Sequence, residues 1–250
     1  MAPQHLGKPL AYSWKGHREL VAEASLWVQE AITREIRAVF PQDAVLGEEG
    51  DEDEPLPLSA ERLWIVDPLD GSINFFQGLP LFGISIALRA KGRYEVGVVY
   101  DPCRDELFQA RRGAGARLND RPIPVEQTSE GPEAYERSVI GTDWPGSIER
   151  RSQALALASV LVSEVVSVTA LGSPALGLCY VAAGRLHAYC HVDLKLWDVA
   201  AAGVIVEEAG GVLSDIHGGS WQYSDGGILA SNSTVHGSVL RSAKAALRVP

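Results

Sequence analysis

The amino-acid sequence predicts an α+β or α/β protein in which two sheets are layered with helices between and outside them, an αβαβα sandwich. Up to about residue 111, one amphipathic helix is followed by closely spaced strands; beyond about residue 135, strands and helices alternate. No internal repeat or low-complexity linker separates these two regions. We therefore predict two tightly packed halves, residues 1–135 with a mostly antiparallel sheet and residues 136–250 with a mixed αβ sheet.

The first half is predicted to be a helix followed by strands. Between His17 and Phe40, apolar residues recur at steps of three and four, which is typical of an amphipathic helix, and Pro41 stops it. The acidic segment 51–57 contains prolines and is predicted to be an exposed loop. Strands are predicted at residues 44–46, 62–66, 82–89, 94–100 and 105–111, with a hairpin turn at Lys91–Arg93.

The second half is predicted to alternate between strands and helices. Strands are expected at residues 138–141, 165–169, 187–192, 212–216 and 228–231. Helices are expected at residues 147–162, 174–183, 198–209 and 234–247. The helix that starts at Asp198 has an acidic first turn and a Gly210-Gly211 stop, so its ends are well marked.

Composition narrows the functional classes. A net charge of −10 and a pI near 5.1 argue against nucleic-acid binding, which usually needs a basic face. The first residues lack the apolar core of a signal peptide, and no apolar run approaches membrane-spanning length, so we expect no membrane partner. The three cysteines, Cys103, Cys179 and Cys190, lack metal-ligand spacing, which favours a reduced cytoplasmic setting.

Asp67 and Asp70 lie at the end of an apolar run, and Gly71 and Ser72 follow as a candidate helix start. Carboxylates and a freed Leu69 carbonyl suit a hard cation such as Mg²⁺, and backbone N–H groups at a helix start suit an anion. Taken alone, the pattern is also that of a turn and a helix cap. Two other acids are open to two interpretations in the same way. Glu48, in Gly47-Glu-Glu-Gly50, is either a metal ligand or a surface acid. Asp198, which follows Trp197, is either a metal ligand or a helix cap.

Together, the segments DPLDGSINF, GEE and WDVAA resemble the signature of the inositol monophosphatase and fructose-1,6-bisphosphatase superfamily, in the same order. The resemblance runs from about residue 15 to the C-terminus and implies the sugar phosphatase fold. It implies a Mg²⁺-dependent phosphomonoesterase with two or three ions and a homodimeric assembly. The implied metal ligands are Glu48, Asp67, the Leu69 carbonyl, Asp70 and Asp198.

The resemblance also implies the catalytic roles. The Gly71 and Ser72 backbone N–H groups would hold the phosphate, and a water oriented by Glu48 and the Ser72 hydroxyl would attack the phosphorus. Asp67 would bridge two ions. The family places Gly172 and Ser173 near the substrate, although Ser173 fits equally well as an N-cap before Pro174.

The sequence also departs from the family pattern. Ala22 and Ser25 replace a threonine and an aspartate that are tied to water activation in some members, which weakens the expectation of a third ion. His191 replaces the glutamate that binds ring hydroxyls in inositol-selective enzymes; it could contact a polyol or be a buried strand histidine. Asp193 is a candidate for the missing carboxylate, and Asp143 and Trp144 are candidates for shaping the leaving-group pocket.

We therefore expect hydrolysis of a small polyol or sugar phosphate, such as an inositol monophosphate. Histidinol phosphate and fructose 1,6-bisphosphate are the alternatives within the class. A non-catalytic binding or assembly protein on the same scaffold is the alternative outside it.

Overall fold

The computed structural model describes residues 12–15, 19–50, 57, 59–125, 132–223 and 226–247. Within them, no helix is both long and apolar enough to cross a membrane. The N-terminal hairpin pairs β1 (Tyr12–Lys15) with β2 (Glu19–Ala22), and α1 (Glu23–Val39) follows directly. The prediction that the helix begins at His17 was therefore wrong for residues 19–22, because pairing with β1 holds them extended; residues 17 and 18 lie outside the described ranges.

The first half is built on a seven-stranded sheet whose strands lie side by side in chain order. The strands are β3 (Ala44–Gly47), β4 (Arg62–Asp70), β5 (Gly83–Ala90), β6 (Arg93–Asp101), β7 (Glu106–Arg111), β8 (Ala116–Leu118) and β9 (Arg121–Pro122). Only the β3–β4 pair is parallel, so the predicted mostly antiparallel sheet is confirmed. The short strands β8 and β9 were not predicted, and residues 51–56 of the predicted acidic loop lie outside the described part of the chain.

The hairpin between β5 and β6 forms where the sequence predicts it. Lys91 and Gly92 have φ angles of 50° and 79°. Two consecutive residues with positive φ make a two-residue turn whose twist matches that of the flanking strands. This turn sets the register in which β6 begins to pair with β5, at Ala90 and Arg93.

The second half is built on a mixed five-stranded sheet in the order β11-β10-β12-β14-β13. Its strands are β10 (Val139–Thr142), β11 (Ser167–Thr169), β12 (Ala188–Leu194), β13 (Val212–Asp215) and β14 (Gly226–Ser231). β10 pairs in parallel with both β11 and β12, and β14 is antiparallel to β12 and β13. The predicted mixed sheet is confirmed.

Helices form the remaining layers. The helices after α1 are α2 (Ser72–Gln77), α3 (Pro132–Glu136), α4 (Ile148–Glu164), α5 (Pro174–Ala182), α6 (Leu196–Glu208) and α7 (His236–Ala246). α5 and α6 lie between the two sheets, α4 and α7 cover the far face of the five-stranded sheet, and α1 packs on β4. The αβαβα sandwich is confirmed; the division of the chain at residue 135 stays a prediction.

The central layer is buried on all sides because it packs against both sheets. Ala175–Ala182 of α5 are all buried, and so are Val199–Val206 of α6. A Cβ atom on Gly97 would lie 2.1 Å from the Ala201 carbonyl oxygen, so the small residues of α6 approach the sheet backbone closely. This close packing holds the start of α6, with Asp198, against the end of β4.

Candidate metal centre

Strand β4 carries Asp67 and Asp70 into the interior. Their side chains are only 1% and 5% exposed. We predicted that the strand would end before Pro68, but it continues to Asp70 through an irregularity in its pairing with β5 between the two acids. The Leu69 N–H donates to Asp67 Oδ1 at 2.9 Å, which orients the first carboxylate.

Three carboxylates meet at this point. Oxygen atoms of Asp67, Asp70 and Asp198 all lie within 4.8 Å of one another. Asp198 comes from the first turn of α6, where its Oδ2 also accepts the Lys195 N–H at 2.8 Å. Carboxylate oxygens at this spacing are the donor set that Mg²⁺ prefers, so the residues present fit a divalent hard cation.

Glu48 joins the cluster from the loop after β3. Its N–H donates to the Val66 carbonyl at 3.0 Å, which keeps the loop beside β4. Its carboxyl lies close enough to that of Asp67 for its charge, and a hydrogen bond between the two groups, to raise the pKa of Asp67. All four predicted carboxylates are therefore brought together. The Leu69 carbonyl as a ligand stays a prediction; the Leu69 side chain packs with Phe75 and Phe82.

Burial and mutual repulsion dominate the electrostatics. Burial, and then the charges of Glu48, Asp70 and Asp198, raise the pKa of Asp67 well above its usual range. Burial also raises the pKa of Asp70, to about 7, although hydrogen bonds from Ser173 and the Ala175 N–H oppose the rise. Bringing these anions together is costly unless a cation or protons neutralise them. The charges of this cluster therefore favour a bound cation.

Gly71 makes the tight connection from Asp70 to α2. Its φ is 87°, and a Cβ atom there would lie 2.9 Å from the carbonyl oxygens of Leu81 and Gly172. Both the left-handed backbone and the space require glycine. Ser72 is the first residue of α2, as the sequence predicted, and the first N–H groups of a helix lack partners within it. Contacts of Gly71 and Ser72 with a phosphate stay predictions.

Ser173 lies beside the metal cluster. It occupies the N-cap position of α5 with Pro174 at N1, but its hydroxyl donates to Asp70 Oδ2 rather than capping the helix. The Ala175 N–H donates to the same oxygen at 3.0 Å. The Ser173 side chain is fully buried and its hydroxyl is bonded to Asp70, so the N-cap role is not observed, and its contact with substrate stays a prediction.

His191 is a buried strand histidine. Its side chain is 3% exposed, and Nδ1 accepts the Asp193 N–H at 3.1 Å. Burial lowers the pKa of His191 to about 4, so the ring is neutral near pH 7. Of the two interpretations that the sequence left open, the burial favours the strand histidine; a contact between His191 and a polyol stays a prediction. Asp193 is half-buried, and its contact with substrate stays a prediction.

Gln29 is a residue of the site that sequence reasoning missed. Its side-chain amide forms two hydrogen bonds with the backbone of Glu49: Oε1 accepts the Glu49 N–H at 3.0 Å, and Nε2 donates to the Glu49 carbonyl. Ser25, one turn earlier on α1, donates to the Glu49 carboxylate at 2.5 Å. These contacts fix the residue next to Glu48. The sequence carried only a weak hint of these contacts, because Ser25 departs from the family pattern and Gln29 follows it one turn later.

The chain is similar to known proteins over most of its length. The chain matches the model of the inositol monophosphatase family over residues 3–248. It is 42% identical over 204 residues to "Nus factor SuhB" of Pasteurella multocida, covering 81% of this chain and 74% of that protein. It is 37% identical over 237 residues to "Inositol-1-monophosphatase" of Mesorhizobium japonicum, covering 94% and 86% of the two chains.

Two solved structures have similar folds. The extragenic suppressor protein suhB of Bartonella henselae superposes with a TM-score of 0.87 at 34% identity, covering 97% of this chain and 94% of that one. An IMPase of Thermotoga maritima superposes with a TM-score of 0.88 at 30% identity, covering 98% and 92%. The similarity therefore extends over both halves of the sandwich.

Proposed function

Because the chain belongs to the inositol monophosphatase family, we propose that it is a Mg²⁺-dependent phosphomonoesterase that hydrolyses a small polyol or sugar phosphate. One observation carries the proposal: the carboxylates of Asp67, Asp70 and Asp198 converge within 4.8 Å, and the Glu48 carboxyl lies close enough to raise the pKa of Asp67. The arrangement suits a metal-assisted hydrolysis. The substrate class follows from the relatives and is the finer part of the proposal.

In the proposed site, Glu48, Asp67, the Leu69 carbonyl, Asp70 and Asp198 would hold two or three Mg²⁺ ions. When bound, Mg²⁺ supplies charge neutralisation for the phosphate and lowers the pKa of water. Asp67 lies at the middle of the cluster, since it interacts with each of the other three carboxylates. This central place supports a bridging role for Asp67.

The remaining roles belong to the chain's own groups. The Gly71 and Ser72 N–H groups would hold phosphate oxygens, because they open α2 directly after Asp70. Glu48 and the Ser72 hydroxyl would orient the attacking water. Positioning and charge neutralisation account for most of the catalysis in phosphoryl transfer, so these groups need to be rigid. The glycine at position 71 and the contacts of Gln29 support that rigidity.

Residues outside the proposed metal centre would determine which alcohol is released. An inositol monophosphate is the first candidate, supported by the Mesorhizobium japonicum relative. Histidinol phosphate and fructose 1,6-bisphosphate are the alternatives, because buried His191 does not offer the hydroxyl-binding carboxylate expected for inositol. Half-buried Asp193 and the exposed Trp144 are the residues to vary when substrates are compared.

The test is phosphate release from these substrates with Mg²⁺, using the unchanged protein, Asp67→Asn and a control. Asp67→Asn removes the central carboxylate, and we expect a loss of at least a thousandfold in kcat/KM. Glu136→Gln changes an exposed acid on α3 and should leave the rate unchanged. If no substrate is hydrolysed faster by the unchanged protein than by Asp67→Asn, the enzymatic proposal is wrong.

A binding or assembly protein is the second candidate. The relatives named Nus factor SuhB, together with Ala22 and Ser25 at the altered positions, favour it. Calorimetric titration with Mg²⁺ in the presence of inorganic phosphate separates the two, because a protein that has lost the activity has no need of the metal. Absence of Mg²⁺ binding would support this second candidate.

We also propose a homodimer in a reducing cytoplasmic setting. All three cysteines are free thiols, and Cys179 and Cys190 are buried. Light scattering after gel filtration, with and without a thiol reductant, measures the mass. A monomer, or a mass that depends on oxidation, would contradict this proposal.

A further inference from the structure

Asp143 is a buried carboxylate outside the metal cluster that the proposed reaction does not use. It follows β10, and its side chain is 4% exposed. Its Oδ1 accepts the Gly172 N–H at 2.6 Å, and its Oδ2 accepts the Tyr189 hydroxyl at 2.8 Å. Burying a carboxylate costs free energy unless its oxygens are hydrogen-bonded. The bonds to Gly172 and Tyr189 therefore stabilise Asp143, and Asp143 in turn fixes the positions of both groups.

The turn that Asp143 holds is also the turn that holds Asp70. Gly172 precedes Ser173, whose hydroxyl donates to Asp70 Oδ2, and the Ala175 N–H donates to the same oxygen. Asp143 thus binds one side of residues 171–173, and the other side delivers a donor to a proposed metal ligand. The turn joins a strand of the second half to a carboxylate of the first.

The turn is packed too tightly to absorb a displacement. Gly172 has a φ of 69°, and a Cβ atom on it would lie 2.7 Å from the Asn74 side-chain amide. That amide also donates to the Leu171 carbonyl at 2.7 Å. On the opposite side, the Gly172 carbonyl lies 2.9 Å from the position of a Cβ atom on Gly71. A shift of residues 171–173 would therefore be passed to Asp70.

We infer that Asp143 is a positioning residue that fixes the orientation of the Asp70 carboxylate through the Gly172–Ser173 turn. The inference rests on the metal site of the proposed function. With Oδ2 of Asp70 held by two donors, the direction of the carboxylate is set by where Asp143 places those donors. Groups that orient a metal ligand typically change metal affinity by about 10- to 100-fold when they are removed.

The experiment is calorimetric titration of Mg²⁺ into the metal-free protein and four variants. Asp143→Ala removes both acceptors, and we expect the Kd for Mg²⁺ to rise about tenfold or more. Asp143→Asn keeps an acceptor for Gly172, and its amide can donate to the Tyr189 oxygen. We expect this conservative variant to stay within about threefold of the unchanged protein, whereas Tyr189→Phe should fall between the two.

Glu164→Ala is the matched control. Glu164 is also a carboxylate of the second half that accepts a tyrosine hydroxyl, from Tyr135 at 2.7 Å, and it accepts a second hydroxyl from Ser242. It lies at the end of α4, on the far side of the five-stranded sheet from Asp70. This variant should lower the unfolding temperature without changing the Kd for Mg²⁺.

The outcomes separate the inference from the proposed function. Wild-type affinity in Asp143→Ala, or equal losses in Asp143→Asn and Asp143→Ala, overturns the inference. A loss in Glu164→Ala as large as that in Asp143→Ala also overturns it, since affinity would then follow stability. If Asp143→Ala does not fold, Tyr189→Phe decides: an unchanged Kd overturns the inference. An unchanged protein that binds no Mg²⁺ overturns the metal centre as well.

Discussion

Replacing Asp70 by asparagine should stabilise the metal-free protein at pH 7.5, although it removes a proposed metal ligand. In the absence of a cation, the carboxylate is buried beside other acids, and burial raises its pKa from 3.8 to about 7. Asparagine has nearly the same shape, carries no charge, and retains an oxygen for the Ser173 hydroxyl and the Ala175 N–H. The expected gain is therefore electrostatic.

The pKa sets the size and the pH window of the effect. A carboxyl with a higher pKa in the folded protein retains its proton while the unfolded chain loses it, so the stability of the folded state falls as the pH rises from about 4 to about 7. The difference between these pKa values corresponds to an upper bound of about 4 kcal/mol at pH 7.5. We expect Asp70→Asn to recover about 2 kcal/mol of it, or about 4–8 °C in unfolding temperature.

The assay is thermal unfolding followed by circular dichroism, with EDTA, at pH 4 and pH 7.5. The variant should exceed the unchanged protein at pH 7.5 and match it at pH 4, where both carry a neutral group at position 70. Excess Mg²⁺ at pH 7.5 should reverse the order, because only the unchanged protein gains from metal binding. A variant that is less stable at both pH values, or a gain that does not depend on pH, would refute the reasoning.

Three further predictions concern the surroundings of the carboxylates. Gly71→Ala should cost at least 2 kcal/mol in urea unfolding, because the Cβ atom would lie 2.9 Å from two carbonyl oxygens at a φ of 87°; an unchanged midpoint would contradict this. Asn74→Ala leaves two backbone carbonyls without their side-chain donor and should cost about 2–3 kcal/mol by the same measurement, whereas a neutral effect would show that water replaces the amide. Gln29→Ala frees the backbone of Glu49, and we expect about a tenfold weaker Kd for Mg²⁺ by calorimetry with little change in unfolding temperature; equal affinity would remove Gln29 from the site.

The parts of the site that the sequence predicted are those fixed by local geometry. Asp67, Asp70, Gly71 and Ser72 lie within six consecutive residues of a strand, a turn and a helix start, so their spacing determines their arrangement. The hairpin at Lys91 and Gly92 was predicted for the same reason. Most strands and helices were also found within a few residues of their predicted ends.

The parts that the sequence could not predict depend on distant contacts. Residues 19–22 have a helical pattern, but pairing with β1 makes them a strand. Ser173 was considered as a substrate contact because the family resemblance places it there, and His191 because its ring can bond a hydroxyl. Their burial depends on how α5 packs between the two sheets and how β12 lies inside the five-stranded sheet. Patterns in a single sequence carry no information on that packing.

The hydrogen bonds between Gln29 and the backbone of Glu49 could not be predicted from the sequence either. A glutamine on an amphipathic helix is ordinarily a solvent-facing residue, and nothing in its own segment indicates a backbone partner 20 residues away. The loop after β3 must already lie beside α1 before that contact can form. Departures from a family pattern, as at Ser25, were the closest available hint.

The proposed ligands are far apart along the chain, at positions 48, 67, 70 and 198, and the last arrives only when α6 packs between the sheets. We expect contacts between such distant residues to form late in folding, because the entropy cost of closing a long loop comes first. The cation would then meet a complete set of ligands only after the folding barrier has been crossed. Mg²⁺ should therefore slow unfolding and leave the refolding rate almost unchanged, so that a bound ion would lengthen the lifetime of the folded protein.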